Sequence, residues 1–138
     1  MLTKAERTGV KHTIRRVEQL GYEVTGSVKY GANHEIDLTF KGVGQGTSRF
    51  ALPEAKAGRG LGSLVVDSLG IRQGSYRFFE TRLMRGGRLD LLQELQSGNA
   101  ELFGGFARSG RLYRFDPVIF FDNVNFRRTA GAATLVPQ

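Results

Sequence analysis

Cysteine is absent from this 138-residue chain, which excludes disulfides, thiolate nucleophiles and cysteine-based zinc sites. A metal, if one is used, must be held by oxygen or histidine ligands, and carboxylate-rich sites select hard cations such as Mg²⁺ or Mn²⁺. Histidine is scarce as well, with two in the chain, and no Ser-His-Asp set or histidine cluster is present. No apolar run approaches the length of a membrane span, and the opening Met1-Leu2-Thr3-Lys4-Ala5-Glu6 has no hydrophobic stretch of signal-peptide type. The chain is therefore expected to be soluble and not to insert into a membrane. Acidic residues fall short of basic ones, 13 against 20, giving a formal charge of +7 and a pI near 10.2. Such a balance points to a polyanionic partner, because Lys and Arg gain affinity by releasing counterions condensed on phosphates.

What is present describes one globular body. Hydrophobic residues make up 40 % and charged residues 24 %, an ordinary balance for a folded domain, and residues 1–138 read as a single unit without repeats, long linkers or low-complexity segments. Val10, Ile14 and Val17 recur at helical spacing with Gly21 beyond them, predicting an amphipathic helix over residues 4–20. This places Glu6 on the inward stripe and Lys4, Arg7, Lys11 and Arg15 on the exposed face. Strands are predicted for Tyr22 to Val28, Glu35 to Phe40 and Arg49 to Glu54 or slightly beyond, separated by glycine-rich turns.

Ile71, Ser75, Phe78 and Arg82 predict a second helix over about 70–85, closed by Gly86-Gly87. A short helix near Leu89 to Gln96, a turn at Ala100 to Ala107 and strand-like runs at Leu112 to Phe115 and Val118 to Phe121 follow, with fraying after Arg127. The expected class is α/β, a helix and three-stranded meander leading to further helix and strand elements on a mixed sheet.

Side chains alternate along strands, so Asp37 lies on the face opposite Ile36, Leu38 and Phe40, while Glu54 and Lys56 share a face. Two carboxylates and a lysine converging on neighbouring strands suit a divalent metal, since two ionised carboxylates held close together repel unless a cation sits between them. Such a site fits phosphodiester cleavage. Glu and Lys two apart on a strand also occur as a solvated ion pair, which is the plainer reading of these two residues.

Gly58-Arg59-Gly60-Leu61-Gly62 lacks the Gly-Lys-Ser/Thr of a phosphate loop and reads as a flexible turn that could carry Arg59 to a substrate backbone. The basic stripe on the first helix reads either as a solvated face or as a phosphate track. Phe78, Phe79, Phe103, Phe106, Phe120 and Phe121 have core spacing. His12 and His34 read as ordinary exposed histidines.

The order helix, strand, Asp-bearing strand, Glu-x-Lys strand, helix resembles the PD-(D/E)XK, or restriction-endonuclease-like, nuclease superfamily. In look it is closest to the C-terminal nuclease toxin domains of bacterial contact-dependent inhibition and other polymorphic toxin proteins. Gly21-Tyr22-Glu23-Val24, Asn33 to Leu38, Pro53-Glu54-Ala55-Lys56 and Gly70 to Ser75 carry the resemblance, which covers about residues 5–85. Residues 86–138 are expected to complete the fold.

The resemblance implies Asp37 and Glu54 as metal ligands for Mg²⁺ or Mn²⁺, with Lys56 acting on the attacking water and the phosphate. It places Gln73 beside them on the following helix and makes Glu6 the helix-borne glutamate, which related proteins carry nearer the Gly-Tyr pair. Tyr76 stands one position short of an aromatic that some members place after the glutamine. Arg59, Arg72 and Arg77 join the α-helical stripe as candidate phosphate contacts. The implied substrate is DNA or tRNA. The implied setting is the cytoplasm of a target bacterial cell, reached as part of a larger secreted protein and opposed by an acidic immunity protein. The rival is a non-catalytic basic nucleic-acid-binding module.

Overall fold

A computed structural model describes residues 3–30, 34–42, 50–118 and 131–138, the side chains of 27–30 and 34–38 excepted. Helix α1 spans Lys4–Glu18. Thr3 caps it, its hydroxyl accepting from the Glu6 amide while the Glu6 carboxylate accepts from the Thr3 amide, so two end donors are satisfied reciprocally. Glu6 is therefore exposed, and its placement on the inward stripe is corrected. The face α1 buries is Gly9, Thr13, Arg16 and Val17, with Val10 and Ile14 packed partly beside it.

Strands β1 (Tyr22–Tyr30), β2 (His34–Gly42) and β3 (Phe50–Lys56) follow. Each is antiparallel to the one before, as the meander predicted, and the β1–β2 register shifts on either side of Gly26. Helices α2 (Tyr76–Arg85) and α3 (Leu89–Gln96) then cross over to β4 (Ala100–Phe106), which runs parallel to β3. Strands β5 (Arg111–Phe115) and β6 (Ala133–Leu135) add antiparallel neighbours, completing a six-stranded mixed sheet in sequence order. The protein is thus α/β, with helices on both faces of the sheet.

The two sides have separate cores. Val17, Tyr22, Phe40, Ala51, Phe103 and Leu112 pack beneath α1. Leu52, Phe78, Phe79, Leu83, Leu92, Leu102 and Phe106 pack beneath α2 and α3. Phe40, Phe79, Phe103, Phe106 and Phe115 are fully buried, each worth about 1.5–3 kcal/mol of transfer from water. Of the six phenylalanines expected in the core, the four within the described residues are buried; Phe120 and Phe121 lie outside them.

Several expectations are corrected. The second helix starts at Tyr76 rather than near residue 70, because Gly74 takes a positive φ of 84° and Ser75 accepts from the Phe78 amide as an N-cap. Ala100 to Phe106 is the buried strand β4, and of the expected turn only Ala107 lies in one. The strand is covered on both faces, so it carries no polar alternation to mark it. The end of the chain is not frayed: β6 pairs with β5, and Ala132 and Val136 are buried. The strand expected at Val118 to Phe121 falls mostly outside the described residues.

Candidate active site

Glu54 and Lys56 lie on β3. Its residues alternate between the two cores, Ala51 beneath α1 and Leu52 beneath α2, so Glu54 and Lys56 leave the sheet on the α2 side. Glu54 is only 6 % exposed and Lys56 is half-buried. Among the described residues the β2–β3 ladder joins Phe40 to Ala51 and Lys41 to Phe50 and goes no further. Pro53 has no N–H with which to extend it, and the pairing stops just ahead of Glu54. Asp37 lies on β2, three residues from Phe40 as Glu54 is three from Ala51. Its side chain lies outside the described part of the structure.

Gln73 sits in the loop before α2 rather than on the helix. That loop is a tight hairpin: Val66 bridges Arg72, the Asp67 amide donates to the Ile71 carbonyl at 2.9 Å, and the Asp67 carboxylate accepts from the Leu69 and Ile71 amides. Across its base the Gln73 amide donates to the Val65 carbonyl at 2.9 Å, and the Val65 amide donates to Gln73 Oε1 at 2.8 Å. The same oxygen accepts from Lys56 Nζ at 3.2 Å. Both neighbours are donors, which fixes the orientation of the carboxamide. A hairpin backbone thereby holds Gln73, and Gln73 holds the lysine.

Arg82, on α2, is the residue that sequence reasoning missed. Its guanidinium lies 4.8 Å from the centroid of the Phe78 ring, and its Nε is buried without a hydrogen-bond partner among the described residues. Burial lowers its pKa from the ordinary arginine value; the charges of Asp67 and Glu54 raise it and that of Arg85 lowers it. Glu54 thus lies within the field of a second cation beside Lys56. The signal was available in the sequence: Arg82 occupies the inward stripe with Phe78, where an arginine without a task would be costly.

The remaining candidates separate by face. Arg59 and Arg77 are exposed, whereas Arg72 donates to the Leu64 carbonyl at 3.2 Å across the hairpin. Tyr76 is half-buried at the start of α2, its pKa raised by burial and by the charge of Glu80. Lys4, Arg7, Lys11 and Arg15 are all exposed along α1, and Glu6 lies with them on that helix, on the opposite side of the sheet from Glu54 and Lys56. His12 is also on α1, and His34 lies on β2 with its side chain outside the described part. The structure brings together Glu54, Lys56, Gln73 and Arg82. It holds Glu6 in the α1 cap.

Among the described residues no group of three or more His, Asp or Glu is arranged to hold a metal ion. Among the same residues no helix is long and apolar enough to cross a membrane. No protein family, curated protein or solved structure matches the chain.

Proposed function

We propose that the protein is a divalent-metal-dependent nuclease of restriction-endonuclease-like fold, hydrolysing phosphodiester bonds of DNA or tRNA. The observation that carries this reading is the buried Glu54 beside a lysine whose Nζ is held 3.2 Å from Gln73 Oε1. A solvated ion pair would need neither the burial of the carboxylate nor a dedicated amide clamp on the lysine. The element order and the break in β2–β3 pairing ahead of Glu54 support the same assignment.

The donor chemistry fits Mg²⁺ or Mn²⁺: Glu54 and, from β2, Asp37 offer carboxylate oxygens and the chain has no sulfur donor of the thiolate kind. When bound, the cation lowers the pKa of water and offsets phosphate charge. Lys56 places a compact positive charge next to a non-bridging phosphate oxygen, and Gln73 limits where that charge can go. The charge of Glu54 acts on Arg82, raising its pKa against the larger lowering by burial. Water adds to phosphorus, the ester oxygen departs with a proton, and no covalent intermediate is required.

Delivery into a target bacterial cell and neutralisation by an acidic immunity protein belong to the same proposal and rest on the motif resemblance. The test is incubation of the full chain with plasmid DNA and, separately, total RNA in Mg²⁺, with and without EDTA. Cleavage is expected in Mg²⁺ alone and is expected to fall by a factor of about 100 or more in Glu54→Gln and Lys56→Met, with circular dichroism unchanged. Binding without cleavage by the wild type would favour the non-catalytic module instead.

A further inference from the structure

On the far side of Lys56 from Gln73, the chain builds a second feature. The β4–β5 turn is tied to the end of β3: the Ala107 amide donates to the Lys56 carbonyl at 3.0 Å, and the Arg108 amide is shared between the carbonyls of Ala57 at 3.1 Å and Gly58 at 3.2 Å. Helix α1 crosses the same place, its Gly9 so close that an added Cβ would lie 2.8 Å from the Lys56 carbonyl carbon. Between the first turns of α1 and the β4–β5 turn lies an open groove of about 470 Å³ lined by Lys4, Ala5, Thr8, Ala57, Ala107 and Arg108. That volume is within the range of small-ligand sites, roughly 300–1,000 Å³.

The lining has two kinds of chemistry. Ala5, Ala57 and Ala107 contribute only methyl groups, so a flat ring can approach closely. The Thr8 hydroxyl is committed to the Lys4 carbonyl at 3.0 Å. Lys4 and Arg108 are exposed, and neither side chain has an ion-pair or hydrogen-bond partner among the described residues. An apolar floor with two free cations at its rim suits a ligand that is planar at one end and carries an anionic phosphate at the other. We infer that this groove holds one nucleotide of the substrate strand, its base on the alanine floor and its phosphate between Lys4 and Arg108. Ala57 directly follows Lys56, but the groove it lines belongs to the α1 side of the sheet, so the nucleotide held there is a flanking one, across the end of β3 from the Lys56 side chain. This role rests on the nuclease reading, whereas the binding itself does not.

The experiment titrates the full chain, labelled with ¹⁵N, with adenosine 5′-monophosphate, adenosine, inorganic phosphate and a glutamate-rich peptide. Saturable amide shifts at Ala5, Ala57 and Ala107 are expected with the nucleotide, and weaker binding with each of the others. Arg108→Ala and Ala5→Trp, which fills the groove from an exposed helix position, are each expected to weaken nucleotide binding by about tenfold. Groove shifts absent with the nucleotide, equal affinity for phosphate alone or for the peptide, or indifference to both substitutions would each overturn the inference. Nucleotide binding in a chain that cleaves nothing would sink the nuclease reading and leave the groove standing. Cleavage without nucleotide binding would do the reverse.

Discussion

His12 sits half-buried on α1, its Nε2 3.2 Å from the Arg111 carbonyl. A carbonyl only accepts, so the ring donates from Nε2. Burial lowers its pKa from 6.5; the hydrogen bond to Arg111 raises it, and the charges of Arg16 and Arg15 lower it. The folded chain therefore binds this proton less readily than the unfolded one, and stability rises with pH across the window below 6.5. The contribution is complete above the unfolded value and is lost as pH falls into that window. His12→Gln retains a donor and does not titrate. Its denaturation midpoint is expected to drop less than that of the wild type between about pH 8 and about pH 5.5. An equal drop in both proteins would remove His12 from the acid response.

At the scale of the element, what could be read from sequence depended on where the signal lay. The 3.6-residue periodicity of Val10, Ile14 and Val17 located α1, and α3 was found over its full span, because one face of each must meet a core. Strand β4 was misread because Gly104-Gly105 looks like a turn. The reason for the glycines lies in other elements: a Cβ at Gly104 would meet the Phe115 ring and one at Gly105 would meet Thr13 of α1. Likewise Gln73 was singled out, but its contacts with Val65 and Lys56 depend on a hairpin that helical spacing concealed. Glu54 and Lys56 were legible through strand alternation. Arg82 was visible only as an oddly placed cation. Helix α1 crosses β4 at van der Waals distance, so Gly105→Ala is expected to destabilise the fold by about 1–3 kcal/mol through overpacking. Denaturant titration measures this, and an unchanged midpoint would mean that α1 docks less closely than described.

The whole molecule is closed by its last residues, which join the sheet edge to α1. Arg16 is 8 % exposed and donates to the Gly110 carbonyl at 2.7 Å and to those of Val136 and Pro137 at 3.3 Å each. The Val136 amide donates in turn to the Leu112 carbonyl at 2.8 Å, and its side chain enters the core beneath α1. A buried guanidinium is costly unless its donors are met, and here backbone carbonyls from two separate segments meet them. Arg16→Met keeps the aliphatic stem and removes these donors, with an expected loss of about 1.5–3 kcal/mol. Deleting residues 132–138 is expected to cost more, since it withdraws β6, Ala132 and Val136 as well and strands the arginine. The two changes share contacts, so they should not add: in the Arg16→Met background the deletion should cost less than in the wild type, by an interaction energy of about 0.5–3 kcal/mol. Denaturant midpoints of the four proteins give that figure directly. Strict additivity would mean that Arg16 and the tail stabilise the molecule independently and that the clamp between them is inert.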